Sequence, residues 1–78
     1  MITLKIISPE RMVLSTEVSL VEIPGSLGRF EILKNHAPLI SSTEKGVIRY
    51  VREGESHEIE CSAGFVEVRD NTVTVCIG

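Results

Sequence analysis

Val66-Glu67-Val68-Arg69-Asp70-Asn71-Thr72-Val73-Thr74-Val75-Cys76-Ile77 decides the fold. Val66 and Val68 alternate with Glu67 and Arg69, so one side of an extended segment is apolar and the other charged. Asp70-Asn71 is a two-residue turn of the hairpin type, since both side chains tolerate the backbone angles such turns need. Val73, Val75 and Ile77 then return on the core face. Two β-branched runs around such a turn form an antiparallel hairpin with one face buried.

Working toward the N-terminus, Gly64 and the phase shift from Phe65 to Val66 predict a bulge. Ile59, Cys61 and Ala63 alternate with Glu58, Glu60 and Ser62 as a half-buried strand. Glu53-Gly54-Glu55 predicts a hairpin turn, and Val47 to Arg52 a strand apolar on both faces. Glu44-Lys45-Gly46 turns the chain, and Leu39 and Ile40 are expected to pack inward. Lys34 to Pro38 reads as a loop that includes His36. Phe30, Ile32 and Leu33 form a short strand, and Pro24-Gly25-Ser26-Leu27-Gly28 is the strongest turn signal in the chain. Glu17 to Ile23 shifts phase from Val18 and Leu20 to Val21 and Ile23, as a bulged or strongly bent strand would. Arg11 to Ser15 is extended. Pro9 ends a first strand whose Ile2, Leu4 and Ile6 share a face. Short strands with such regular turn signals predict one all-β domain over residues 1–78, an antiparallel sandwich or barrel.

Composition narrows the function. The 78 residues are 42% hydrophobic and 24% charged, which sets disorder aside. A net charge of −3, with eight scattered Lys and Arg, excludes a nucleic-acid binder and offers nothing to hold an acidic membrane surface. No apolar run reaches the roughly 18 residues of a membrane helix, and the N-terminus lacks a secretory pattern. Cys61 and Cys76 lie in apolar segments and read as reduced, buried side chains of a cytoplasmic protein.

Catalytic chemistry is poorly provided for. His36 and His57 are the only histidines, and no metal-ligand spacing accompanies them. His36 reads as fixing its loop by hydrogen bonds, and His57 as solvated on a polar strand face. Gly25 and Gly28 lack the Gly-Lys-Ser/Thr ending and the helix of a phosphate loop. Glu58 and Glu60 form a solvated acidic face, and no lysine has the setting of a biotin or lipoyl carrier. The residues alone therefore predict no enzyme, no cofactor and no metal. A small free-standing ligand-binding or carrier β-domain is the alternative, with an enzyme using His36 beside Glu31 or Glu44 behind it. Apolar pairs at Leu20-Val21, Val47-Ile48 and Phe65-Val66 either need a partner to cover an outer face or are turned inward by bulges.

Ile23-Pro24-Gly25-Ser26-Leu27-Gly28-Arg29-Phe30-Glu31-Ile32-Leu33, followed by Asn35-His36-Ala37-Pro38-Leu39-Ile40, resembles the signature of the epsilon subunits of F-type ATP synthases. Ser8-Pro9-Glu10-Arg11, Gly46-Val47-Ile48-Arg49 and Ser62 to Val75 resemble further segments of that family in order along the chain. The resemblance implies a flattened antiparallel β-sandwich of roughly ten short strands. It implies a non-catalytic central-stalk (rotor) subunit that docks on the gamma subunit, rests on the c-ring and acts indirectly on the catalytic alpha/beta head. Such a subunit is peripheral, at the cytoplasmic face of the inner (plasma) membrane, without direct membrane insertion.

Carried over by residue, the resemblance implies a ring-facing edge at Gly25, Ser26, Gly28, Arg29, Glu31 and His36, and gamma-facing positions at Ser8, Ile40 and Ser41. Arg29 stands where the family often has an acid, and Glu31 where it commonly has glycine, so Glu31 is the candidate ring-facing acid. The chain ends at Gly78, without the helical hairpin that usually follows. No hairpin-mediated inhibition and no nucleotide site are therefore expected in it.

Overall fold

The computed structural model describes all residues, Met1–Gly78. Nine strands follow one another: β1 (Ile2–Ile7), β2 (Met12–Val18), β3 (Leu20–Gly25), β4 (Gly28–Ile32), β5 (Leu39–Thr43), β6 (Gly46–Arg52), β7 (Glu55–Cys61), β8 (Gly64–Arg69) and β9 (Thr72–Ile77). Hydrogen bonding joins them in the order β2-β1-β9-β8-β5-β3-β6-β7, with β4 beside β3.

The sheet curls on itself at the junction of β5 and β3, where only Gly25 and Thr43 pair. One half, β2-β1-β9-β8-β5, then lies over the other, β4-β3-β6-β7. Period-2 alternation sends Ile2, Leu4, Ile6, Val18, Val66, Val68, Val73 and Val75 inward from the first half. Val21, Ile23, Ile32, Ile48 and Cys61 meet them from the second. Truncating Leu4, which is fully buried, to Ala should cost about 2–5 kcal/mol. That is a large share of the roughly 4–12 kcal/mol expected of a 78-residue domain.

Neighbouring strands run antiparallel with one exception: β1 and β9 are parallel, Leu4 opposite Val73 and Ile6 opposite Val75. No turn joins these two strands, so nothing local imposes a reversal between them.

The predicted bent strand from Glu17 to Ile23 is two strands, broken at Ser19. There the Ser19 N–H donates to Val51 O at 2.9 Å as the chain leaves β1 for β6. Leu33 lies beyond β4 and is exposed. Ile40 does not pack inward. Leu39 faces Val68 and the core, so the pleat turns Ile40 outward, where it is 73% exposed.

Candidate functional site

Two surfaces gather the residues singled out in the sequence. The first is the rim along β4, an edge strand bonded only to β3. Gly25 and Gly28 close the β3–β4 hairpin, with Ser26 and Leu27 at its tip. Gly28 takes φ 127°, a region costly for any residue with a Cβ. Gly25 is required for a different reason. A Cβ there would lie 2.7 Å from Phe30 Cε1 and 2.8 Å from the Gly28 carbonyl oxygen. The tip is tied down by the Ser26 N–H donating to Ser42 O at 3.2 Å and by the Ser42 hydroxyl donating to Ser26 Oγ at 2.7 Å. Leu27 stands fully free of the protein.

Behind the tip, a row of charges crosses three strands. Glu22 lies between Glu31 on β4 and Arg49 on β6. Arg29 Nε and Nη2 both reach Glu22 Oε1, at 2.9 and 2.8 Å. Arg49 Nη2 lies 3.5 Å from the other Glu22 oxygen and 3.9 Å from Glu31. The Arg29 hydrogen bond is the main reason that the Glu22 carboxyl is held below the ordinary glutamate range. Partial desolvation opposes it, and the positive charges of Arg29 and Arg49 reinforce it. Glu31 is the more exposed acid of the row, while Arg29 is occupied by Glu22 and by the Val47 carbonyl.

His36 sits beyond the other end of β4. Its backbone N–H donates to Leu33 O at 3.2 Å, and Nδ1 donates to Ala37 O at 2.7 Å, which leaves Nε2 unbonded. The loop is anchored from outside, since the Asn35 N–H donates to Asn71 Oδ1 at 2.6 Å. The Gly25–Gly28 turn and His36 therefore flank the edge strand instead of clustering. Strand rise alone separates them by about 13 Å or more.

The second surface is the outer face of the other half-sheet. Strand register aligns Phe65 with Cys76, Cys76 with Ile7, and Ile7 with Met12. Ile40 lies one step along β5 on the same face. Phe65 is 51% exposed and Met12 50%, so the row is an apolar stripe open to solvent. Ser8 borders a hollow of about 380 Å³ beside Phe65, Cys76 and Ile77. Ser41 lies on the opposite face of β5 from Ile40, with its hydroxyl donating to Ser42 O at 3.1 Å. Of the expected gamma-facing residues, Ile40 and Ser8 thus border the stripe, and Ser41 points toward the core side.

Met12, Ile7 and Cys76 were not legible as one surface in the sequence, because their alignment depends on which strands are neighbours. Neither was the Glu22–Arg49 pair. His57 is not simply solvated: its ring stacks on Tyr50 with centroids 5.2 Å apart and planes 18° from parallel.

The whole chain, residues 1–78, matches the family described as ATP synthase, Delta/Epsilon chain, beta-sandwich domain. The ATP synthase epsilon chain of Desulfitobacterium hafniense is 55% identical over 73 residues, covering 94% of this chain and 55% of the relative. That of Pelotomaculum thermopropionicum is 46% identical over 72 residues, covering 92% and 54%. The chain thus spans about half the length of the curated relatives it matches. A chain of the Euglena gracilis mitochondrial ATP synthase superposes with a TM-score of 0.89 at 23% identity, covering 97% of this chain and 49% of that one. A chain of the Tetrahymena thermophila mitochondrial ATP synthase central stalk and c-ring assembly gives 0.79 at 14% identity, covering 97% and 62%. At these identities the superpositions show a shared fold.

Proposed function

The chain belongs to the delta/epsilon β-sandwich family of ATP synthase subunits, and from that membership we propose that it is a non-catalytic central-stalk subunit coupling c-ring rotation to the gamma subunit. It works by holding two partners at a fixed separation. The rim along β4, with Gly25, Ser26, Gly28, Glu31 and His36, faces the polar loops of the c-ring. The stripe of Met12, Ile7, Cys76, Phe65 and Ile40 docks on gamma. Its influence on the catalytic alpha/beta head is indirect, through gamma. The protein is peripheral, at the cytoplasmic face of the membrane that holds the ring; no helix in the structure is long and apolar enough to cross one.

The structural observation that supports the gamma contact is the open stripe. A two-layer sandwich covers its inner faces with each other, so an apolar row on an outer face lowers its free energy only when a partner covers it. Phe65 and Met12, flexible or aromatic and half-exposed, are residue types enriched at such contacts.

A pull-down from native membranes with this chain as bait tests it. Recovery of gamma and ring components is expected, with Phe65→Glu reducing gamma recovery at least tenfold, the loss typical of a residue central to an interface. A folded bait that recovers neither gamma nor ring would overturn the reading.

A further inference from the structure

Pro24 occupies the point where β3 passes from one neighbour to another. Residues Leu20 to Glu22 pair with β6, whereas Gly25 pairs with Thr43 of β5. Continuing the register of Glu22 with Arg49 would set Pro24 opposite Val47. Alternation then decides which groups meet. Gly25 and Gly28 close a two-residue turn and bond each other toward β4, so the even-numbered residues of β3 present N and O to the other side. In agreement, Pro24 O accepts the Glu44 N–H at 2.8 Å. By the same count, the turn at Glu53-Gly54 directs the even residues of β6 toward β7 and leaves the Val47 carbonyl facing β3.

An ordinary residue at position 24 would give its N–H to Val47 O. Proline has none to give, and the β3–β6 pairing stops at Glu22. Arg29 Nη2 donates to Val47 O instead, at 2.8 Å, from a strand on the far side of β3. Arg29 is the direct β4 partner of Pro24, so its side chain leaves from beside the proline ring. The ring in turn packs over Gly46, where a Cβ would sit 3.4 Å from Pro24 Cβ.

We infer that Arg29 is a positioning residue: its guanidinium replaces the N–H that Pro24 lacks, ties β4 to β6 across β3, and so sets the direction of the Ser26–Leu27 tip. The same fork holds Glu22, which keeps the guanidinium over the seam. Lysine, with a single ammonium point, cannot hold Glu22 Oε1 and Val47 O in that planar geometry. The brace is a property of this chain; that the tip it aims meets the ring rests on the function proposed above.

Amide hydrogen exchange on the chain alone tests the brace. The informative protons are Ser26 N–H, donated to Ser42 O, and Glu44 N–H, donated to Pro24 O. Arg29→Ala should speed exchange at both by about tenfold, the scale of one lost charge-assisted bond, while amides in β1 and β9 change little. Arg29→Lys should fall between. Pro24→Ala restores a backbone donor, so adding Arg29→Ala to Pro24→Ala should change the two rates by less than about threefold. Equal acceleration of all amides, no change at Ser26 and Glu44, or no rescue by Pro24→Ala would each overturn the inference. Ring recovery with Leu27→Ser, measured separately, reports on the docking reading. A sound brace without ring recovery by the unaltered chain sinks that reading alone, and recovery with no brace sinks this one alone.

Discussion

Asn35 and Asn71 clasp one another across two loops: the Asn35 N–H donates to Asn71 Oδ1 at 2.6 Å, and Asn71 Nδ2 donates to Asn35 Oδ1 at 3.2 Å. Both residues take left-handed backbone angles, φ 65° and 57°, which asparagine tolerates better than most side chains. The clasp fixes the loop before β5, and with it His36, to the tip of the β8–β9 hairpin.

Asn71→Gly keeps the turn conformation and removes both side-chain bonds. It should destabilise the domain by about 1–2 kcal/mol, as a lower midpoint in urea denaturation. Exchange of the His36 amide should quicken beyond that global change, because its loop loses its outside anchor.

Acid should weaken the domain partly through Glu22. Its carboxyl is held low in the folded state, first by the Arg29 hydrogen bond, with Arg49 adding charge and Glu31 facing the same arginine. A depressed folded pKa contributes stability that is fully present above the ordinary value of 4.5 and is lost as pH falls through the folded value. Glu22→Gln should therefore flatten the fall in stability below about pH 4.5, measured as urea midpoints across a pH series. An unchanged acid limb would assign that loss to other carboxyls.

Gly25→Ala should damage the rim without dissolving the core. The added methyl meets the Phe30 ring and the Gly28 carbonyl, and the backbone oxygen cannot step aside as a side chain could. A loss of about 1–3 kcal/mol is expected, the usual cost of overpacking. Thermal denaturation gives the stability, and pull-down of ring components gives the functional cost.

The two cysteines should differ in reactivity. Cys61 is buried and its thiol is pushed up by desolvation, so it should resist alkylation in the folded chain. Cys76 is only partly buried and lies in the apolar stripe, so it should label faster, and gamma should protect it. Labelling followed by mass spectrometry, with and without gamma, checks both statements.

Alternation makes the core legible. Ile2, Leu4, Ile6, Val73 and Val75 are all buried, and each falls on the face that a period of 2 assigns it. The hairpin turns at Ser26-Leu27, Glu53-Gly54 and Asp70-Asn71 are legible too, since Gly, Asn and Asp mark where the backbone must turn tightly. Ile40 is misread as buried because two adjacent apolar residues look alike, and only the partner strand decides which one faces in. Pairing is also what the rest of the site depends on. Glu22 and Arg49 are far apart in sequence and look like ordinary surface charges, yet they are direct neighbours across β3 and β6. The Arg29 bond to Val47 O could not be foreseen without knowing that β6 lies behind Pro24.

The parallel contact of β1 with β9 has a consequence for biosynthesis. Leu4 cannot meet Val73 until the ribosome has released nearly all of the sequence between them. At roughly 5–20 residues per second, that is a wait of several seconds or more, long compared with hairpin formation. Throughout it, β1 has β2 as its one strand neighbour, and the edge that will meet β9 stays unpaired. A chaperone reading nascent chains should therefore engage Ile2, Leu4 and Ile6 early, and let go when Val73 and Val75 emerge.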